Sequence, residues 1–505
     1  MASNARKKRP GRSRIILDGN HLKLDDLEAI ADGAGVALSP AAKKRIEKCR
    51  EYVLELSEDG LPHYGINTGF GYLASVAIPD DQLRELQKNL VRSHAAGWGE
   101  LLEERESRLA LALRLNVFAK GLTGVRLELC EQILKLLRAR IHPAIPEYGS
   151  LGASGDLIPL SHLALPLSGE GEVYYKGRRM SARRALKAAK IKPLELARKE
   201  GLSLINGTQI MQAVGSLALA RALKVLEWAE KVTALSFEGL AAIPDTLFSP
   251  LHKARGQYGQ EITARNILKE LRGSEIHKNR PGNVRLQDPY SLRCAPQIIG
   301  PSRDALEYAA DVAECELNAA TDNPLVFTKQ KKIVSGGNFH GQAISMAYDF
   351  AAIAMAEIAS VSERRLELML NPNYSGLPAF LVKKPGLNSG YMTLQYLAGS
   401  LVNENRVLAH PACVDNITGN VGVEDHVSMG MTAARKLKRI VKNTEAVIAC
   451  ELLAAAQAVD LRGLKKLGQG TERTYRLVRK RVSELGSDRT LYPEIEEALK
   501  VLERL

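Results

Sequence analysis

The sequence predicts a mostly α fold, and three observations predict it. Aromatic residues are only 5% of a chain whose hydrophobic content is 45%, so the core must be aliphatic and alanine-rich, which suits closely packed helices better than stacked sheets. Apolar residues recur at three- and four-residue spacing over long stretches, whereas Gly169–Gly177 is one of the few segments that reads as strand, a short hairpin. At 505 residues the chain is too long for one compact core, so two or more packed layers are expected.

In chain order, residues 1–15 are expected to form a disordered basic arm. Arg6, Lys7, Lys8, Arg9, Arg12 and Arg14 stand there beside Pro10 and Gly11, with almost nothing apolar to bury. The rest of the formal net charge of +13 is interleaved with Glu and Asp, which reads as a solvated basic surface rather than a nucleic-acid face; polyanion contact through the arm is the alternative. Helices are expected over Asp26–Asp32 and over Ala41–Ser57, where Ile46, Cys49, Val53 and Leu56 share a face. Leu83–Ser93 and Glu106–Arg140 follow, the second ended by His142-Pro143. Further helices are expected from Gln209 to about Leu240, over Asp304–Ala320, Gly341–Ser362 and Tyr391–His410, and from Ser428 to about Leu464. Gly341–Ser362 is apolar or small nearly all round, but Asp349, Glu357 and its many Gly, Ala and Ser residues favour a buried bundle helix over a membrane span. The start of the chain shows no secretory n-region and h-region, so a cytoplasmic protein is expected. Six scattered cysteines without a CxxC pair read as free buried thiols rather than disulfides or a zinc site.

Chemistry concentrates in Tyr148–His162, which places Gly149, Gly152 and Gly155 at three-residue spacing with no Lys or Arg. Asp156 beside the last glycine would repel a phosphate, so this is no nucleotide loop. Ala153-Ser154-Gly155 offers a covalent alternative. In a sharp bend the Gly155 amide nitrogen can attack the Ala153 carbonyl carbon, because glycine has no Cβ in the way and tolerates strained dihedrals. Loss of water closes a five-membered ring, and loss of the Ser154 hydroxyl leaves an exocyclic methylidene. Glycine-rich or polar loops recur at Tyr64–Tyr72, Asn206–Thr208, Gln287–Cys294, Ser335–Gln342 and Thr418–His426.

The run Gly149–Gly177 closely resembles the core signature of the histidine, phenylalanine and tyrosine ammonia-lyases and their related aminomutases, and the likeness extends over roughly residues 17 to 470. The resemblance implies a 4-methylidene-imidazol-5-one (MIO) electrophile formed autocatalytically from Ala153, Ser154 and Gly155, with no metal or diffusible cofactor. It implies that Tyr64 is a catalytic tyrosine on a mobile lid and that His94 occupies the selectivity position. Asn206 and Arg293 would hold the substrate carboxylate, Gln287 and Tyr290 would support the electrophile, and Phe339 would pack against it. Glu424, in the EDHVSMG motif of the histidine enzymes, would meet the substrate's ring or amine. The implied architecture is a domain over residues 16–208 carrying the MIO loop and a little β structure. Behind it, over residues 209–505, comes a long helical bundle of the fumarase/aspartase-like superfamily. A homotetramer with active sites shared between subunits is also implied, with no membrane.

Glu424 with His94 points to L-histidine, giving trans-urocanate and ammonia. A buried carboxylate hydrogen-bonded to an imidazole is worth about 1.5–3 kcal/mol, and against a phenyl ring it is left unpaired. Val421-Gly422-Val423 before the EDH and Gly341-Gln342 after Phe339-His340 depart from the histidine pattern. A tyrosine or phenylalanine ammonia-lyase or 2,3-aminomutase is therefore the alternative. A fumarase-type lyase is disfavoured, because its GSSxMPxKxN signature is absent.

Overall fold

The computed structural model describes residues 14–505 apart from Gly60, Asn283 and Val284. Among the described residues nineteen α-helices carry the fold, and nine strands of three or four residues accompany them. The mostly α expectation therefore holds. The chain forms two compact units that do not follow a single cut after residue 208. One comprises the chain up to Ala220 with Ala310–Tyr348 and Pro411–Arg435; the other comprises Arg221–Ala309, Asp349–His410 and Lys436–Leu505.

In the first unit, Arg14–Leu17 runs parallel to Gly35–Leu38, flanking the helix Leu24–Ala31. Ile15 and Leu17 are buried while Arg14 and Ile16 face outward. This corrects the expected arm: Arg14 and Ile15 belong to a strand, and residues 1–13 lie outside the described residues. Four residues with one polar side chain, Arg-Ile-Ile-Leu, show no apolar/polar alternation to mark a strand, and the strand exists because its partner, beyond a helix, supplies the ladder. The helix Pro40–Ser57 begins on Ser39, whose hydroxyl accepts from the Ala42 amide.

The single pattern expected over Glu106–Arg140 is two helices, Glu104–Ala119 and Leu127–Ala139. Gly121 and Gly124 break it at φ +69° and +75°, and a Cβ on Gly121 would stand 2.5 Å from the Cβ of Arg45. The hairpin expected within Gly169–Gly177 lies further along the chain, as Glu172–Tyr175 and Arg178–Ser181, turned by Lys176-Gly177 with both residues at positive φ. Ile141–Pro143 adds a third strand.

The second unit is held by buried polar links between long helices. Glu451 accepts from Arg365 Nε at 2.5 Å and Nη2 at 2.8 Å, and from the hydroxyls of Ser236 and Ser362 at 2.7 and 2.5 Å. Both charges are fully buried, and four donors on one carboxylate offset their desolvation. The helix Gln342–Leu370 is long and apolar enough to cross a membrane, yet 72% of its apolar window is buried inside the protein. The described cysteines form no disulfide; Cys49, Cys130, Cys413 and Cys450 are buried, whereas Cys294 is half-buried and Cys315 exposed.

Candidate active site

The Ala153-Ser154-Gly155 segment forms a tight turn. Gly152, Ser154 and Gly155 lie at φ +85°, +50° and +76°, and for serine this left-handed backbone is uncommon. The Gly155 amide donates to the Gly152 carbonyl at 3.3 Å. Behind the turn, Gly207 N–H donates to the Ser154 carbonyl at 3.3 Å, and Asp156 N–H donates to the Gly207 carbonyl at 2.7 Å. A Cβ on Gly155 would stand 2.1 Å from that Gly207 oxygen, and one on Gly152 would stand 2.1 Å from Ser428 Oγ. The turn is thus clamped from two sides, and only glycine fits at either end. Gly155→Ala is expected to cost about 3 kcal/mol of stability from overpacking and the left-handed backbone together, read as a lower midpoint of thermal unfolding.

Two buried charges fix this clamp, and the sequence reading assigned neither. Asp156 accepts the Ile210 and Met211 amides at 3.0 and 2.8 Å, in the first turn of the helix Gln209–Gly239, and the Ser150 hydroxyl at 2.9 Å. Burial pushes its carboxyl up to about 7, against the lowering pull of those three donors. Arg114 donates from Nη1 to the Asn206 carbonyl at 2.5 Å and to Gln209 Oε1 at 2.6 Å. Full burial lowers its guanidinium to about 10, which still leaves it charged at neutral pH. Its sequence signal is a lone arginine inside the apolar run Leu109–Ala119.

In front of the turn lies a cavity of about 650 Å³, and Tyr64, His94, Ser154, Asn206 and Glu424 all line it. Leu86, Leu90, Leu157 and Leu202 supply apolar walls. Tyr64 is half-buried, stands edge-on to Phe70 and accepts the Gly71 amide on its hydroxyl at 3.3 Å. Burial raises its phenol above the ordinary tyrosine value, the Gly71 amide opposes this, and the charges of Glu424 and Asp322 raise it further.

His94 ends the helix Leu83–His94, and its Nδ1 lies 2.8 Å from the Leu90 carbonyl. A carbonyl only accepts, so Nδ1 carries a proton, which makes Nε2 an acceptor in the neutral ring. Asn206 is buried; its Nδ2 donates to the Asn323 carbonyl at 3.4 Å, and its Oδ1 has no hydrogen-bond partner among the described residues. Glu424 accepts from Asn420 Nδ2 at 3.2 Å.

The remaining expected residues are not among those lining this cavity. Phe339 is half-buried in the loop before Gln342–Leu370. Gln287, Tyr290 and Arg293 belong to the second unit. There Gln287 is exposed, Tyr290 is exposed, and the Arg293 guanidinium lies over the Tyr290 ring at 4.7 Å with Nε unpartnered. Among the described residues the cavity lining contains no lysine or arginine. Asn420, unremarked in the sequence, does line it.

Comparison with known proteins decides the family. The family model described as aromatic amino acid lyase matches residues 22–480. The chain belongs to that family. This lyase is 48% identical over 490 residues to a histidine ammonia-lyase of Treponema denticola, covering 97% of this chain and 96% of that one. The crystal structure of histidine ammonia-lyase from Trypanosoma cruzi matches at 43% identity and a TM-score of 0.90, over 97% of this chain and 93% of that one. A tyrosine aminomutase from Streptomyces globisporus matches at 40% identity and a TM-score of 0.92, over 97% of both. The lyase is accordingly a carbon–nitrogen lyase, and its long helices are those of this family's fold.

Proposed function

We propose that this lyase eliminates ammonia from L-histidine to give trans-urocanate, as a cytoplasmic homotetramer carrying MIO made from Ala153, Ser154 and Gly155. The observation that carries the substrate is a pair of acceptors, His94 Nε2 and the Glu424 carboxylate, on the cavity that Ser154 and Tyr64 also line. An imidazole or imidazolium N–H satisfies such acceptors, whereas a phenyl ring would bury them unpaired at a cost of about 1–3 kcal/mol. High identity to histidine ammonia-lyases supports the same substrate. Tyrosine is the second reading, because His94 Nε2 would accept from a phenol equally well, but a phenol ring, unlike an imidazolium, brings Glu424 no charge beyond the ammonium that either substrate carries.

The residues present fit the MIO group. Ser154 lines the cavity from a left-handed turn, and Gly155 leaves the approach to the Ala153 carbonyl free of a Cβ. When formed, the group supplies an electrophile that no ordinary side chain provides. Tyr64 is the base that takes the β-hydrogen, and Asn206 adds a polar contact beside the turn. A substrate carboxylate finds no cation among the lining residues. Arg293, whose fork suits a carboxylate, is assigned to that task from a neighbouring copy, where Gln287 and Tyr290 would support the electrophile and Phe339 would pack against it. An apolar stripe on the helix Gln342–Leu370, with Met346, Phe350 and Ile353 exposed at three- and four-residue spacing, supports assembly with other copies.

Purified protein given L-histidine is expected to develop the ultraviolet band of urocanate. Product from L-tyrosine alone would reject histidine while leaving the family's chemistry in place.

A further inference from the structure

Asn420 joins the loop that carries Tyr64 to the loop that carries Glu424. Its Oδ1 accepts the Tyr72 amide at 3.4 Å, and its Nδ2 donates to Glu424 Oε1 at 3.2 Å. The amide of the preceding residue, Gly71, donates to the Tyr64 hydroxyl at 3.3 Å. Consecutive amides of one short turn therefore serve the base and Asn420. Gly71 sits at φ +55°, and a Cβ there would stand 2.3 Å from Asn420 Nδ2, so glycine is what permits the approach.

The backbone around Asn420 is held in an unusual form. Asn420, Val421 and Gly422 lie at φ +47°, +55° and +87° in succession. For β-branched Val421 this conformation is costly, and its side chain is 82% exposed, so its own burial does not offset the strain. The Gly419 amide donates to the Glu424 carbonyl at 2.8 Å and the Val423 amide to the Asn420 carbonyl at 3.1 Å, which closes the loop around the strained residues. What the strain achieves is the aim of the Asn420 amide, with its oxygen on the lid turn and its nitrogen on Glu424.

We propose that Asn420 is a positioning residue that fixes the Glu424 carboxylate for the substrate and ties its placement to closure of the Tyr64 loop. The inference rests on Glu424 being a substrate contact. Asn420→Ala removes both hydrogen bonds, whereas Asn420→Asp keeps an acceptor for the Tyr72 amide and loses the donor to Glu424. For Asn420→Ala, KM for L-histidine should rise about tenfold with kcat changed less, the size of a lost hydrogen bond to a charged group. Amide hydrogen exchange over Phe70–Val76 should quicken. For Asn420→Asp, exchange should stay near wild type while KM rises, and the ascending limb of kcat/KM should move to higher pH because a second carboxylate stands in the site. The exchange measurement needs no substrate, so it tests the tie even if L-histidine is not turned over; KM is then read with the amino acid that is. Wild-type KM and wild-type exchange in Asn420→Ala would overturn the proposal. So would a fall in melting temperature alone, with KM, pH profile and exchange unchanged.

Discussion

Replacing Ser154 by alanine is expected to lower ammonia-lyase activity by on the order of 10³-fold or more while leaving the protein folded. The turn is held by the backbone rather than by the serine side chain. Gly207 N–H reaches the Ser154 carbonyl, Asp156 N–H reaches the Gly207 carbonyl, and Asp156 Oδ2 takes the Ile210 and Met211 amides. None of these contacts uses the Ser154 hydroxyl, so its removal costs little stability, and alanine tolerates φ +50° about as well as serine does. Intact mass separates loss of chemistry from loss of fold. Wild-type protein should be lighter than its sequence by two waters, one for ring closure and one for the Ser154 hydroxyl. The alanine variant can lose at most the first. A wild type at full sequence mass, or an alanine variant with wild-type turnover, would refute the electrophile.

Much of the site was legible because its chemistry is local in sequence. The proposed electrophile needs only three consecutive residues, and Tyr64, His94, Asn206 and Glu424 each sit in a short loop or at a helix end whose composition marks it. The structure brings these four to one cavity with Ser154. What sequence left hidden is non-local. Arg114 matters because its side chain reaches a carbonyl 92 positions away, and Asn420 because it meets an amide 348 positions away. Helix patterns were readable in type but not at their ends. Glu106–Arg140 divides because Arg45 and Val53, both on the helix Pro40–Ser57, stand where Cβ atoms on Gly121 and Gly124 would lie, a contact no window of that segment contains. Arg14 and Ile15 pair with Gly35 and Val36 for the same kind of reason. Gln287, Tyr290, Arg293 and Phe339 do not line that cavity, and on the proposed reading they would reach a site only through another copy, which no periodicity in the sequence expresses.

Tyr64→Phe should be the second large loss, on the order of 10²- to 10⁴-fold in kcat/KM, the range for removing a general base. The phenol is poorly disposed to ionise in the isolated chain: burial raises its pKa above the tyrosine value, the Gly71 amide offsets part of this, and Glu424 and Asp322 raise it further. On the proposed reading, an ammonium and an imidazole placed next to Glu424 would screen that carboxylate and ease ionisation of Tyr64 when the site is filled. The sign follows for Glu424→Gln. Because the Glu424 charge raises the Tyr64 pKa, removing it lets the phenol lose its proton at lower pH, and the ascending limb of kcat/KM should move toward acid. Its plateau should fall about 10- to 100-fold, since a charged contact to the substrate is lost. A limb that stays put in Glu424→Gln would assign the titration to another group. A limb that moves toward acid and is absent from the residual activity of Tyr64→Phe would place the proton on Tyr64 and its restraint on Glu424.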